Sequence, residues 1–196
     1  MGFTRAELAA AAGRSVPDLL PDRPDALRLL FVGINPGLWT AAAQAHFAHP
    51  GNRFYRALHA AGITPSLLDV SGGFDARSRR ALLGRGIGLT NLVDRATARA
   101  DQVADDELRS GAARLVEKVR IWRPRVVGIV GIGAYRTVFG PRDAGVGRQA
   151  EPCAGAEMWA LPNPSGLNAH YQVGALARLY RAAARAAGIE LGPLRR

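Results

Sequence analysis

Three short apolar runs, each bounded by Gly, Asn or Pro, constrain this chain more than any other feature. RLLFVGI (28–34) runs into Asn35-Pro36-Gly37, GIGLTNLV (86–93) runs into Asp94, and RVVGIVGI (125–132) follows Pro124. Each is continuous rather than alternating, the pattern of strands buried on both faces, as parallel strands are. A shorter fourth run, Met158–Leu161, stops at Pro162. Helical periodicity fills the intervals, most clearly over 104–121. There Leu108, Ala112, Leu115, Val116 and Val119 form one stripe, and Asp105, Asp106 and Glu107 occupy the first turn, where acidic side chains complement the helix dipole. Further helices are expected near 4–12, 52–61, 75–83, 133–139 and 172–187. Strands alternating with helices predict an α/β fold, a three-layer α/β/α sandwich whose mainly parallel central sheet has about four strands.

A chain of 196 residues suits one core. The expected organisation is a lead-in with a short helix over 1–26, a single domain over 27–188 and a tail over 189–196. The lead-in holds three prolines between Arg14 and Asp25 and reads as irregular.

Composition removes several function classes. No apolar run is long enough to span a bilayer, and Arg5 and Glu7 interrupt the N-terminus before a secretory h-region forms. Cys153 is the only cysteine, which excludes an internal disulfide framework, a zinc ribbon and a four-thiolate iron–sulfur cluster. A cytoplasmic location is the resulting expectation. His46, His49 and His59 lack the Cys or acidic partners of a metal site, so neither metal nor cofactor is expected. Twenty-six basic residues against sixteen acidic ones give a net charge of +10, which suits a polyanionic partner through counterion release. A general bias toward arginine is the competing source of that excess, since Lys118 is the only lysine. Arg77, Arg79, Arg80 and Arg85, or Arg178, Arg181 and Arg185 on the last helix, could follow a phosphate backbone or form solvated faces.

In open parallel sheets, ligands bind beyond the carboxyl ends of the strands. Three of the four expected strands end in polar loops there: Gly33-Ile34-Asn35-Pro36-Gly37, Thr90-Asn91-Leu92-Val93-Asp94, and the stretch from Pro162 to Tyr171. Taken singly, each is an ordinary turn, because Asn, Pro, Gly and Ser are turn residues. Two Asn-Pro loops at equivalent strand ends point to a shared site. The first loop lacks both GxxxxGK[ST] and GxGxxG, which argues against a phosphate cradle.

GINPG (33–37) and NPSGL (163–167) resemble the two signature motifs of the mismatch-specific uracil/thymine-DNA glycosylases, the MUG/TDG branch of the uracil-DNA glycosylase superfamily. FAHPGNRF (47–54) resembles the segment after the first motif, and GLTNLVDRAT (88–97) resembles the central loop. The resemblance covers most of residues 28–180. It implies a DNA glycosylase of base excision repair that flips out uracil mispaired with guanine in double-stranded DNA. Thymine and ethenocytosine are related substrates. Hydrolysis of the N-glycosidic bond would leave an abasic site. Two alternatives stay open: a relative shifted to a deaminated purine or single-stranded uracil, and a catalytically silent damage-sensing domain. A bacterial, nucleoid-associated monomer is the expected setting.

The resemblance also assigns residues. Asn35 matches the catalytic Asn and would orient a water, with the carboxylate of Asp94 as its rival or, alternatively, as scaffolding paired with an arginine such as Arg95. Gly33 and Ile34 would line the base pocket through their backbone, Thr40 would sit beside it and Phe47 would stack on the flipped base. Asn91 would read a pyrimidine edge or serve as a cap or turn, and Asn163 would contact the base. Ser165 and Gly166 suit phosphate contact, and Leu167 is the expected wedge in the base stack. Asn168 and His170 follow the wedge where some relatives carry Ser and Arg, and His170 would meet phosphate. Strand nicking needs an amine for a Schiff base, and Lys118 lies mid-helix away from the three loops, hence the monofunctional expectation.

Overall fold

A computed structural model describes residues 2–195. Its sheet has five strands: β1 (Leu29–Gly33), β2 (Ile87–Asn91), β3 (Val126–Val130), β4 (Gly147–Arg148) and β5 (Glu157–Leu161). They lie in the order β2-β1-β3-β5-β4. All neighbours are parallel except the β4–β5 pair at the edge. This is the expected α/β/α sandwich with one correction, a fifth strand. β4 is two residues long and lies among glycines and charged residues, so no apolar run marked it.

The helices are α1 (Arg5–Ala10), α2 (Leu38–Ala43), α3 (Phe54–Ala60), α4 (Ala76–Leu83), α5 (Asp105–Trp122), α6 (Ile132–Val138) and α7 (Val173–Ala186). α2 was not expected, because LWTAAA follows Pro36-Gly37 too closely for a stripe to show. Side chains alternate across the sheet as the pleat requires. Leu29 and Phe31 face a core shared with α3, α4 and α7, where Phe54, Leu82 and Tyr180 are buried. Leu30 and Val32 face the opposite core, with Leu108, Leu115 and Val119 of α5 and Tyr135 of α6. Each such buried side chain contributes about 1.5–3 kcal/mol. α5 approaches the sheet where a side chain would not fit: a Cβ at Gly111 would stand 2.1 Å from the Leu92 carbonyl oxygen.

The lead-in is tied to the sheet. Leu19 exchanges both backbone hydrogen bonds with Leu89 at 2.9 Å, alongside β2. Asp18 accepts from the Thr90 hydroxyl at 2.5 Å and pairs with Lys118 of α5, which also reaches the Thr90 hydroxyl at 2.7 Å. The sole lysine is thus engaged with the lead-in and β2.

Candidate active site

Strand register builds the site before any side chain is considered. β1 lies between β2 and β3, so the chain leaves the sheet in different directions on its two sides, the topological switch where ligands bind. Gly33, the last residue of β1, is paired with Asn91, the last of β2. The carboxyl ends of β1, β2, β3 and β5 border one cavity of about 460 Å3. Gly33, Ile34, Asn35, Thr40, Phe47, Asn91, Asn163, Ser165, Gly166 and Leu167 all line it. Asp94, Asn168 and His170 do not line it.

Asn35 is held by its own amide. Its Nδ2 donates to the Thr97 hydroxyl at 2.7 Å, the Arg95 carbonyl at 3.0 Å and the Pro36 carbonyl at 3.2 Å. Carbonyl oxygens only accept, and the Thr97 hydroxyl spends its proton on the Arg99 carbonyl at 2.7 Å. The orientation of the amide therefore has one solution, with both N–H groups on protein and Oδ1 unclaimed by any protein donor among the described residues. The central loop runs beside the first motif to make this possible: Leu92, Val93 and Thr97 donate their backbone N–H groups to Gly33, Ile34 and Pro36.

Asn91 is fixed in the same manner through His46. The His46 Nε2 lies 3.1 Å from the Pro17 carbonyl, so that nitrogen carries the proton and Nδ1 accepts from Asn91 Nδ2 at 3.3 Å. Burial of the ring, 1% exposed, holds its pKa below the ordinary 6.5, outweighing the hydrogen bond to Pro17 and the charge of Asp18. Asn91 Oδ1 then lies over Gly33, where a Cβ would come within 2.3 Å of it. Only glycine allows that approach. The contribution of Pro17 and His46 was missed from sequence because they act from outside the cavity.

Phe47 adopts a left-handed φ of 57°, rare for a bulky residue and worth about 1–3 kcal/mol of strain. The conformation lays its ring on Phe54, centroids 4.1 Å apart and planes 20° apart, while the ring also borders the cavity beside Gly33.

The loop after β5 closes the opposite side. Asn163 Oδ1 accepts from the Ser165 backbone N–H at 2.9 Å, and Asn168 donates its amide to the Asn163 carbonyl at 2.8 Å. Asn168 is therefore a brace across the loop rather than a cavity residue. His170 is exposed and donates its backbone N–H to Asn168 Oδ1. Leu167, 96% exposed, projects from the top.

Asp94 is exposed, and Arg95 pairs with Glu107 of α5 rather than with it. Of the arginines noted in sequence, Arg85 immediately precedes the amino end of β2, at the edge of the sheet away from the cavity, and donates to the Glu190 carbonyl. Arg181 donates to the Ala61 and Gly192 carbonyls. Trp39, His49, Gly51 and Asn52 line the cavity as well. The signal for His49, Gly51 and Asn52 was FAHPGNRF, a match to the segment that follows the first motif, whereas Trp39 lies on α2, which no sequence pattern marked.

The model of the Uracil DNA glycosylase superfamily matches residues 20–185. The fold is similar to the solution NMR structure of a Methanosarcina acetivorans protein described as a "putative Uracil DNA glycosylase". The TM-score is 0.59 and the identity 21%, over 90% of this chain and 98% of that one. Because the family match takes in the whole sheet and each of the three loops that meet at the cavity, the chain belongs to the uracil DNA glycosylase superfamily.

Proposed function

We propose that the protein is a DNA glycosylase that hydrolyses the N-glycosidic bond of uracil opposite guanine in duplex DNA, as the MUG/TDG-like motifs imply, and a monofunctional one, because its sole lysine, Lys118, is engaged with Asp18 and Thr90 and does not line the cavity. The observation that carries this reading is Asn35, whose amide is locked by three acceptors and whose Oδ1 is left for a water at the cavity shared with the NPSG loop. An amide oxygen is too weakly basic to take a proton, so its contribution is positioning. The reaction must then depend on a base that leaves as an anion. Uracil does so, whereas ordinary purines need protonation first.

The base cannot be reached inside a duplex and must be flipped. Stacking on Phe47 would stabilise it by roughly 1–3 kcal/mol. Asn91 presents an acceptor, Oδ1, and that matches the N3–H of uracil or thymine but opposes the unprotonated N3 of cytosine. Leu167 would fill the vacated stack. The exposed position of Asp94 favours Asn35 over the carboxylate as the water-positioning group.

The test is incubation with labelled duplexes carrying G·U, A·U, G·T or G·ethenocytosine pairs and with single-stranded uracil, followed by alkali. Alkali-dependent cleavage at uracil, strongest for G·U, is expected. Breaks without alkali would overturn the monofunctional assignment, and tight binding with no cleavage would favour a silent damage sensor.

A further inference from the structure

Arg53 follows the Pro50-Gly51-Asn52 turn, and its side chain reaches beneath the loop that carries Leu167. One terminal nitrogen donates to the carbonyls of Asn168 at 2.7 Å, Tyr171 at 3.1 Å and Ser165 at 3.3 Å. The other donates to the Gly166 carbonyl at 3.2 Å, and the Arg53 backbone N–H donates to Pro164 at 2.9 Å. Among the described residues no carboxylate pairs with Arg53. Its charge faces carbonyl dipoles alone. The loop and the turn also interlock, since a Cβ at Gly166 would stand 2.8 Å from the Gly51 carbonyl oxygen.

We infer that Arg53 is a positioning residue that sets the loop in its DNA-ready shape before DNA arrives. The loop from Pro162 to Gln172 has no regular secondary structure, yet it must present a bare leucine to a base stack. Ordering such a loop on binding would subtract from the energy available for flipping. A guanidinium that gathers four carbonyls from one stretch of loop meets that cost during folding. Lysine cannot substitute fully, because a single ammonium lacks the planar fork that spans four acceptors.

This inference rests on the glycosylase reading for its kinetic part, but not for its structural part. In Arg53→Gln and Arg53→Lys, amide hydrogen exchange in the free protein should rise at Asn168 and His170 and stay unchanged in β1. Single-turnover excision of uracil from a G·U duplex should fall roughly tenfold in Arg53→Gln, and by less in Arg53→Lys. Excision from the same strand without its complement should fall less than from the duplex. Unchanged exchange at Asn168, or equal losses on both substrates, would overturn the inference. If Arg53→Gln fails to fold, Arg53→Lys decides by exchange. A wild-type protein that excises no uracil removes the glycosylase reading, while exchange still tests the clamp.

Discussion

The floor and the rim of the cavity solve opposite problems. On the floor, Asn35 has both N–H groups bound to protein and Asn91 has one bound to His46, and each holds its amide oxygen in place. On the rim, four carbonyls of the loop are bound by Arg53 and Asn163 and Asn168 brace it from within, while an apolar side chain stands exposed to water. The floor is anchored by strand register and the rim by side-chain hydrogen bonds. On the proposed function, a floor that positions a water would need rigidity from the sheet, whereas a rim that enters a DNA duplex would need reach beyond it.

Separating the two regions should separate chemistry from flipping. Asn35→Ala should lower the single-turnover rate by on the order of 10²–10³-fold while leaving duplex affinity within about twofold, checked by excision and fluorescence anisotropy. A matching fall in affinity would show that the floor also binds DNA. Leu167→Ala should reduce duplex excision by about tenfold and single-stranded excision much less, which a rate comparison on the two substrates reads directly. Equal losses would erase the distinction between floor and rim.

The floor should also be sensitive to acid. His46 is held neutral in the folded protein with its pKa below the ordinary 6.5, so the unfolded chain binds the proton more readily. Its contribution to stability is complete above 6.5 and is lost as pH falls toward the folded value. Protonation would also place a donor where Asn91 Nδ2 now donates. Denaturant midpoints and uracil excision should both decline below pH 6.5, and His46→Gln should flatten both profiles. The smallest effect is expected for Asp94→Asn, less than about twofold in excision, as befits an exposed carboxylate outside the cavity. A large loss there would move the water from the amide to the carboxylate.

Much of the fold could be read from local pattern. Continuous apolar runs mark β1, β2 and β3 because both faces of those strands are buried, and the stripe from Leu108 to Val119 marks α5 because one face of it is. β4 and α2 escaped notice: one is too short, and the other is too near Pro36-Gly37 to show a period. The candidate residues were legible as motifs, and most of them line one cavity. Asn168 does not, because its amide is consumed by the loop it sits in.

Sequence alone determined that the runs at β1, β2, β3 and β5 become strands and that two of their carboxyl ends carry Asn-Pro loops. Tertiary structure decided which atoms are free to act. Pro17, 29 residues before His46, sets the protonated nitrogen of His46 and through it the direction of Asn91, and the Arg95 carbonyl, 60 residues after Asn35, sets the direction of Asn35. The physical reason is that an amide side chain is symmetric in shape but not in polarity. Only the partners that close around it in the folded chain choose which end it presents.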